Sequence, residues 1–143
     1  MRILVVNGPN LNMLGTREPE KYGSKTLEQI NEEVKNFANE KGVEIEFFQS
    51  NVEGEIVGAI QSAKDKFDGI IINPAAYTHT SVAIRDALLA VKLPAIEVHL
   101  SNVYSREDFR QTTYTAGVCL GQIAGMGDYG YKLAILAFVE KLK

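Results

Sequence analysis

The residues best suited to proton transfer are Glu97 and His99, which lie two positions apart in an apolar run. Side chains at this spacing point to the same face of a β-strand. A carboxylate beside an imidazole fixes the orientation of the ring and favours its protonated form. The spacing therefore predicts a general acid at His99, while a structural ion pair or a satisfied core histidine explains it as well. The chain's other histidine, His79, precedes a predicted helix and fits either a ligand-binding or a capping role.

A second group, Arg17 and Tyr22, lies in the polar stretch from Asn10 to Lys25, which has no hydrophobic periodicity. Long connections of this kind are typical of functional lids. Ionising a tyrosine of ordinary pKa at pH 7 costs about 4 kcal/mol, and a nearby guanidinium lowers that cost. The two residues could therefore form a tyrosinate base and its supporting cation. From the residue types alone, a surface tyrosine and a solvated arginine are the simpler interpretation.

Alternating strands and helices have to position these residues. The apolar runs predict strands over 3–6, 43–48, 69–72, 95–100 and 118–124. Amphipathic patterns predict helices from the capping box at 26–29 to Gly42, and over 53–67, 80–91 and 129–142, with a short helix that begins near 105. This alternation indicates an α/β fold: a flavodoxin-like three-layer sandwich with a five-stranded parallel sheet and helices on both faces.

Ligands of such sheets bind at the carboxyl ends of the strands. The predicted strand ends carry polar or glycine-containing segments at 7–10, 50–51, 73–79, 100–102 and 125–127. Both histidines fall on this one edge, and their convergence with the asparagines predicts a ligand site there. The pattern does not by itself name a reaction.

Composition limits the class of protein. The chain has 143 residues and a net charge of −3, which fits one domain and gives no electrostatic support for nucleic-acid binding. No apolar run is long enough to predict a membrane span. Cys119 is the chain's one cysteine, so the sequence excludes an internal disulfide and a cysteine-based zinc cluster, and it suits the cytoplasm. We expect Cys119 to be a small core residue of the fifth strand.

The segment from Gly125 to Gly130 matches the pattern G-x-G-x-x-G. The dinucleotide-binding fingerprint also needs a following strand and an acidic residue about 20 positions further on. Here one predicted helix follows, so we interpret the segment as a tight turn and a helix start. Two alternative functions stay open at this point: a nucleotide- or flavin-binding module that uses this turn, and a non-catalytic protein that acts by assembly.

Four long stretches, residues 7–23, 47–56, 72–88 and 97–110, resemble the type II 3-dehydroquinate dehydratases. They run in that family's order and cover nearly the whole chain. The resemblance implies a single catalytic domain over residues 1–143 with a lid loop around residues 10–25. It implies the reversible dehydration of 3-dehydroquinate to 3-dehydroshikimate in the shikimate pathway, through an enolate and without a cofactor, a metal or a Schiff base. The expected setting is the cytoplasm, with no nucleic-acid or membrane partner.

The resemblance also implies a role for each matched residue. Tyr22 matches the lid base, and Arg17 matches the arginine that supports it. His99 matches the acid that protonates the departing hydroxyl, with Glu97 as its orienting partner, and Asn10 matches the asparagine associated with the water that stabilises the enolate. The implied substrate-binding residues are Asn73, His79, Asp86, Leu100, Ser101 and Arg110. Asp86 is expected to reach a neighbouring subunit's site in a homo-oligomer, a dodecamer of four trimers.

Overall fold

The apolar runs form one parallel sheet. In the computed structural model, which describes residues 1–16, 20 and 24–142, the strands are β1 (Arg2–Asn7), β2 (Glu44–Gln49), β3 (Gly69–Asn73), β4 (Ala95–His99) and β5 (Gly121–Ala124). Their order in the sheet is β2-β1-β3-β4-β5, and every pairing is parallel. The predicted flavodoxin-like sheet is therefore confirmed.

The described residues form four α-helices: α1 (Leu27–Glu40), α2 (Glu53–Ser62), α3 (Val82–Val91) and α4 (Tyr129–Lys141). The first three connect successive strands, and α4 follows β5. The predicted capping box starts α1. The Gln29 amide N–H donates to the Thr26 hydroxyl at 3.2 Å, and the Thr26 amide N–H donates to the Gln29 side-chain oxygen at 2.9 Å. This arrangement satisfies two amide groups that the first turn of a helix leaves without partners.

The helices cover both faces of the sheet, because successive strand residues point to opposite sides. In β1, Ile3 and Val5 pack in a core with residues of α1 and α4, while Leu4 and Val6 pack in a second core with residues of α2 and α3. All four side chains are almost fully buried. Burial on both faces explains why the strand is a continuous aliphatic run rather than an alternating one.

The segment before β5 departs from the prediction. A 3₁₀ helix, Ala116–Val118, ends at the first residue of the predicted strand, Cys119 follows it in the connection, and β5 begins only at Gly121. The Thr113 hydroxyl accepts hydrogen bonds from the amides of Thr115 and Ala116, at 3.2 and 3.1 Å, which folds the backbone into a turn. The expectation that Cys119 lies within the strand is therefore wrong, although the half-buried residue does pack against the core.

Two other predicted helices differ in extent. Helix α2 ends at Ser62 rather than at Phe67, and the chain then turns through Asp65, whose φ of 66° is left-handed. The short helix expected near 105 is instead two 3₁₀ helices, Val103–Ser105 and Asp108–Gln111. A further 3₁₀ helix, Ala75–His79, precedes α3. These short turns carry several of the polar residues of the site.

None of the helices in the described ranges combines the length and the apolar character that a bilayer crossing requires.

Candidate active site

A pocket opens at the carboxyl edge of the sheet, where β1, β3 and β4 end. It brings together seven residues that the sequence predicted for the site, with six others. The lining residues are Pro9, Asn10, Leu11, Asn73, Ala75, Ala76, His79, His99, Leu100, Ser101, Val103, Arg106 and Arg110. The expected convergence of polar groups at this edge is thus confirmed as geometry.

The ends of β1 and β3 meet closely at Gly8. Its amide donates to the Asn73 carbonyl oxygen at 2.8 Å. A Cβ atom at this position would lie 2.6 Å from the carbonyl oxygen of Pro74. Glycine is therefore required here by the approach of two backbones rather than by its own conformational freedom. The contact sets the position of Asn73 at the base of the pocket.

A buried tyrosine orients the Asn73 side chain. The Asn73 amide Nδ2 donates to the Tyr131 hydroxyl at 3.1 Å, and that hydroxyl donates to the Asn7 Oδ1 atom at 2.6 Å. The Asn73 Oδ1 atom accepts from the Ala75 amide at 3.1 Å. Burial raises the pKa of Tyr131 well above its ordinary value of 10.0, so it stays a neutral donor. One N–H of the Asn73 amide then remains to bind a ligand.

Two residues that line the pocket have a left-handed backbone without being glycine. The φ angles are 70° at Asn10 and 51° at Ala75. Such conformations are uncommon for non-glycine residues and cluster at functional sites. The Asn10 amide donates to the Asn51 Oδ1 atom at 2.9 Å, which ties the end of β1 to the segment after β2.

The Glu97 and His99 side chains form a buried pair at the end of β4. The prediction that they share one face is confirmed: the His99 Nε2 atom lies 2.7 Å from the Glu97 Oε2 atom. Glu97 is fully buried and His99 is 6% exposed. Burial acts to raise the pKa of Glu97, but the hydrogen bond and the charge of His99, with hydrogen bonds from Thr115 and Thr78, outweigh it and leave that pKa below 4.5. The carboxyl is therefore ionised at neutral pH.

His79 lies across the pocket on the 3₁₀ helix before α3. Its Nδ1 atom is 2.7 Å from the Thr112 carbonyl oxygen. Because a carbonyl only accepts, Nδ1 carries the hydrogen, and Nε2 of the neutral ring is an acceptor. The capping alternative is not what the structure has, since the Ser81 hydroxyl caps α3 by accepting from the Ile84 amide at 2.9 Å.

Two arginines add positive charge to the lining. Arg110 was predicted, and its Nε atom donates to the Glu107 Oε1 atom at 3.1 Å. Arg106 was not predicted, because its segment was interpreted only as a helix cap; its guanidinium donates to the Ser101 hydroxyl at 3.3 Å. Guanidinium groups bind carboxylates through two parallel hydrogen bonds. This end of the pocket is therefore suited to an anionic ligand.

Four predicted residues are not in the described lining of this pocket, and one of them, Glu97, lies behind the lining residue His99 as its hydrogen-bond partner. Arg17 and Tyr22 lie outside the described residues. Asp86 is exposed on α3 and does not belong to the described pocket lining. Sequence reasoning also missed three partners of the site that come from segments distant along the chain: the buried Thr115 and Tyr131 and the half-buried Gln122.

The turn from Gly125 to Gly130 behaves as the sequence indicated. Gly125 and Gly127 have φ angles of 91° and 59°, and α4 begins two residues after the second of these glycines. None of the turn's residues belongs to the described lining of the pocket. Across ranges 1–16 and 24–142, no three His, Cys, Asp or Glu side chains are grouped so that they could hold a metal ion.

Comparison with known proteins agrees with this geometry. A family model, dehydroquinase class II, matches residues 1–139. The curated 3-dehydroquinate dehydratase of a Sulfurovum species is 58% identical over 142 residues, 99% of this chain and 88% of that protein. The crystal structure of type II dehydroquinase from Butyrivibrio crossotus aligns with a TM-score of 0.95 and 48% identity, and covers 99% of this chain and 98% of its own. The type II dehydroquinase of Propionibacterium acnes aligns with a TM-score of 0.95 and 40% identity, over 98% of this chain and 97% of its own. With its fold, its length and nearly all of its sequence matched, the chain belongs to the class II dehydroquinase family.

Proposed function

We propose that the pocket at the carboxyl edge of the sheet converts 3-dehydroquinate to 3-dehydroshikimate in two proton-transfer steps. Family membership makes the chain a hydro-lyase, and its curated relatives are 3-dehydroquinate dehydratases. The observation that carries the proposal is the buried Glu97–His99 pair, which opens into a pocket that two arginines also line. A proton donor beside an anion-binding wall is what the loss of water from a hydroxylated carboxylate requires.

The substrate's carboxylate binds at the arginine side of the pocket. Arg110 supplies the charge, and the backbone amides of Leu100 and Ser101 supply further donors in this proposal. Asn73 and His79 hold the hydroxyl groups of the substrate ring. This placement is supported by the orientation of the two side chains, since Asn73 keeps one N–H for a ligand and His79 keeps an acceptor nitrogen.

In the first step, the Tyr22 phenolate takes a proton from the carbon next to the ketone, and the electron pair of the C–H bond forms an enolate. Arg17 holds the phenolate and lowers the cost of ionising it. A water held by Asn10 donates to the enolate oxygen. Donors that are already in place where charge develops lower the barrier more than donors that must reorganise.

In the second step, the enolate oxygen reforms the ketone, the electrons of the enolate carbon–carbon double bond form a new double bond to C1, and the bond between C1 and its hydroxyl oxygen breaks. His99 gives its proton to the departing oxygen, so that water leaves. Glu97 is ionised and hydrogen-bonded to the Nε2 atom of His99, and it holds the ring in position for the transfer. Residues 1–143 act as one catalytic domain, in which the segment around residues 10–25 closes over the substrate as a lid.

The two steps can be separated by experiment. In D₂O the first step exchanges the substrate's proton for deuterium, and the second step produces a conjugated ketone that absorbs in the ultraviolet. We expect His99→Ala to lose ultraviolet product while it keeps deuterium exchange, and Tyr22→Phe to lose both. A His99→Ala enzyme that forms product at the wild-type rate would refute the assignment of His99 as the acid. Deuterium exchange at the wild-type rate by Tyr22→Phe would refute the assignment of Tyr22 as the base.

We propose that the chain assembles as the dodecamer of its family and that Asp86 serves a neighbouring subunit's site. Its exposure on α3, away from the described pocket lining of its own subunit, supports this role. Mixing two inactive variants provides the test. Tyr22→Phe and Asp86→Ala subunits should regain activity when they are unfolded together and refolded as mixed oligomers, because some sites then combine an intact Tyr22 with an intact Asp86. If Asp86 acted within its own subunit, no mixed site would be complete.

A further inference from the structure

The Glu97 carboxylate is surrounded by donors that the proposed mechanism does not use. Its Oε2 atom accepts from the Thr78 hydroxyl at 2.8 Å and from the Gln122 side-chain amide at 3.1 Å, besides the contact with His99. Its Oε1 atom accepts from the Thr115 hydroxyl. Thr78, Thr115 and Glu97 are almost fully buried. Four groups from four different parts of the chain thus converge on one carboxylate.

Counting hydrogens fixes the direction of these bonds. A threonine hydroxyl has one hydrogen to donate and two lone pairs. Thr78 and Thr115 both donate that hydrogen to the Glu97 carboxylate, so none is left for the contact between their own hydroxyl oxygens, which lie 2.9 Å apart. The Thr113 hydroxyl, which contacts the Thr78 oxygen, must then donate to it. Thr113 in turn accepts from two backbone amides, of Thr115 and Ala116, which can only donate. Every hydrogen in this network therefore points towards Glu97.

This one-way arrangement determines which nitrogen of His99 faces the reaction. A carboxylate that receives only donors is ionised, and it needs a hydrogen on the Nε2 atom of His99 at 2.7 Å. Nε2 is then occupied by a buried group, and the other ring nitrogen, Nδ1, is left to exchange protons with a ligand in the pocket. A network that could reverse its direction would allow the ring to carry its hydrogen on either nitrogen.

We propose that Thr115 and Gln122 are positioning residues of the reaction: by holding the Glu97 carboxylate, they keep the imidazole of His99 with Nε2 on Glu97 and Nδ1 towards the pocket. This inference rests on the proposed role of His99 as the acid. Neither residue belongs to the described pocket lining, and both act through Glu97. Thr115 is the only described donor to Oε1, and Gln122 comes from the edge strand β5.

Other titratable or charged groups lie near the Glu97–His99 pair and contribute to the pH dependence of activity. His79 and Arg110 line the same pocket from 3₁₀ helices, and Arg106 lines it from the link between two of them. The Cys119 thiol donates to the Thr115 carbonyl oxygen at 3.4 Å, and its pKa is raised to about 12, first by burial and then by the charge of Glu97. The thiol is thus uncharged throughout the range in which the enzyme would be assayed.

The first test removes the donor to Oε1 in Thr115→Val, which keeps the shape of the side chain. Without this donor the ionised form of Glu97 is less stable, so the acidic limb of the kcat profile should move to higher pH by about one unit, and kcat should fall about tenfold with little change in KM. Thr115→Ser restores a hydroxyl and should recover both. A merely structural role would lower the yield of folded protein without moving the acidic limb.

Gln122→Leu provides an independent test at the other oxygen, and it carries the proposal if Thr115→Val does not fold. We expect a shift of the acidic limb in the same direction. The matched controls are Thr80→Val and Gln61→Leu, which remove the same groups at exposed positions and should leave the profile unchanged. An acidic limb that stays in place in Gln122→Leu, and in Thr115→Val if it folds, would overturn the inference.

A measurement that does not depend on turnover separates this inference from the proposed function. Solid-state ¹⁵N NMR of protein labelled at histidine observes two rings, since the chain has two histidines, and His79→Gln assigns them. We expect neutral His99 to carry its hydrogen on Nε2 in the wild type and to show a mixture of tautomers in Thr115→Val. A wild-type ring with its hydrogen on Nδ1 would overturn the inference even if dehydration is normal. A wild type that does not dehydrate 3-dehydroquinate would instead refute the proposed function.

Discussion

Replacing Tyr131 by phenylalanine should weaken both the fold and the proposed substrate site. The tyrosine hydroxyl donates to the Asn7 Oδ1 atom at 2.6 Å and accepts from the Asn73 Nδ2 atom at 3.1 Å. Asn7, Asn73 and Tyr131 are 1%, 2% and 1% exposed, so water cannot replace the lost partner. The substitution therefore leaves one buried acceptor and one buried donor unsatisfied.

The size of the effect follows from these two orphaned groups. Each buried polar group that loses its partner costs about 1–3 kcal/mol, so we expect a loss of about 3 kcal/mol in the free energy of unfolding. For a chain of 143 residues this corresponds to a fall in Tm of about 10 °C. Because Asn73 loses the contact that orients its amide, KM for 3-dehydroquinate should rise several-fold, and more than kcat falls.

The assay combines thermal unfolding, followed by circular dichroism at fixed protein concentration, with steady-state kinetics from the ultraviolet signal of the product. Tyr104→Phe is the matched control, since it removes the same hydroxyl from a side chain that is 61% exposed, and its Tm should stay within about 1–2 °C of the wild type. A Tyr131→Phe protein with a Tm as close to wild type as that, and an unchanged KM, would refute the reasoning that the hydroxyl supports both asparagines.

Three further outcomes are expected. Burial, followed by the charge of Glu97, raises the pKa of Cys119 from 9.0 to about 12. Its thiolate at pH 8 is therefore about a thousandfold scarcer than that of a free thiol. Iodoacetamide should react with Cys119 far more slowly in the native than in the urea-unfolded protein, and equal rates would contradict this expectation. The pKa of Glu97 is lower in the folded protein than its ordinary 4.5, since hydrogen bonds and charge outweigh burial. The stabilisation that ionised Glu97 contributes is therefore present above about pH 4.5 and is lost as the pH falls through the folded pKa. Stability should thus fall more steeply from pH 6 to 3 in the wild type than in Glu97→Gln, and parallel curves would exclude Glu97 as a source of the acid sensitivity. Gly8→Ala places a Cβ atom 2.6 Å from the Pro74 carbonyl oxygen, so it should lower the free energy of unfolding by about 1–3 kcal/mol and raise KM. Gly58→Ala is the matched control, because a Cβ atom there would have no neighbour within 4 Å. Similar denaturation curves for the two variants would show that the ends of β1 and β3 tolerate separation.

Much of the fold could be predicted because the strands are short apolar runs and the helices have clear boundaries. The run around Ile3 is buried on both faces, and Thr26 and Gln29 mark the start of α1 in the sequence itself. The segment before β5 could not be predicted in the same way. Its turn depends on the Thr113 hydroxyl and on tertiary contacts with Glu97, and hydrophobic periodicity does not report either.

The site was predictable where two of its residues are close in sequence. Glu97 and His99 share a face because a strand has a period of two, and the structure confirms their contact. The residues that hold Glu97 were not predictable, because Gln122 and Thr115 reach it only through the order of the strands and the turn before β5. Arg106 shows a different limit: its charge is visible in the sequence, but its direction depends on two 3₁₀ turns without a periodic pattern.

The position of β5 at the edge of the sheet has a consequence for how activity is acquired during synthesis. β5 is the last strand in chain order, and it pairs only with β4. Parallel neighbours cannot join until the long connection between them has been made, which slows their formation. A nascent chain whose first four strands have already associated still lacks the amide of Gln122 beside Glu97. Catalytic competence should therefore be gained late, as a single event when the edge strand docks, and not in proportion to the length of chain that has left the ribosome.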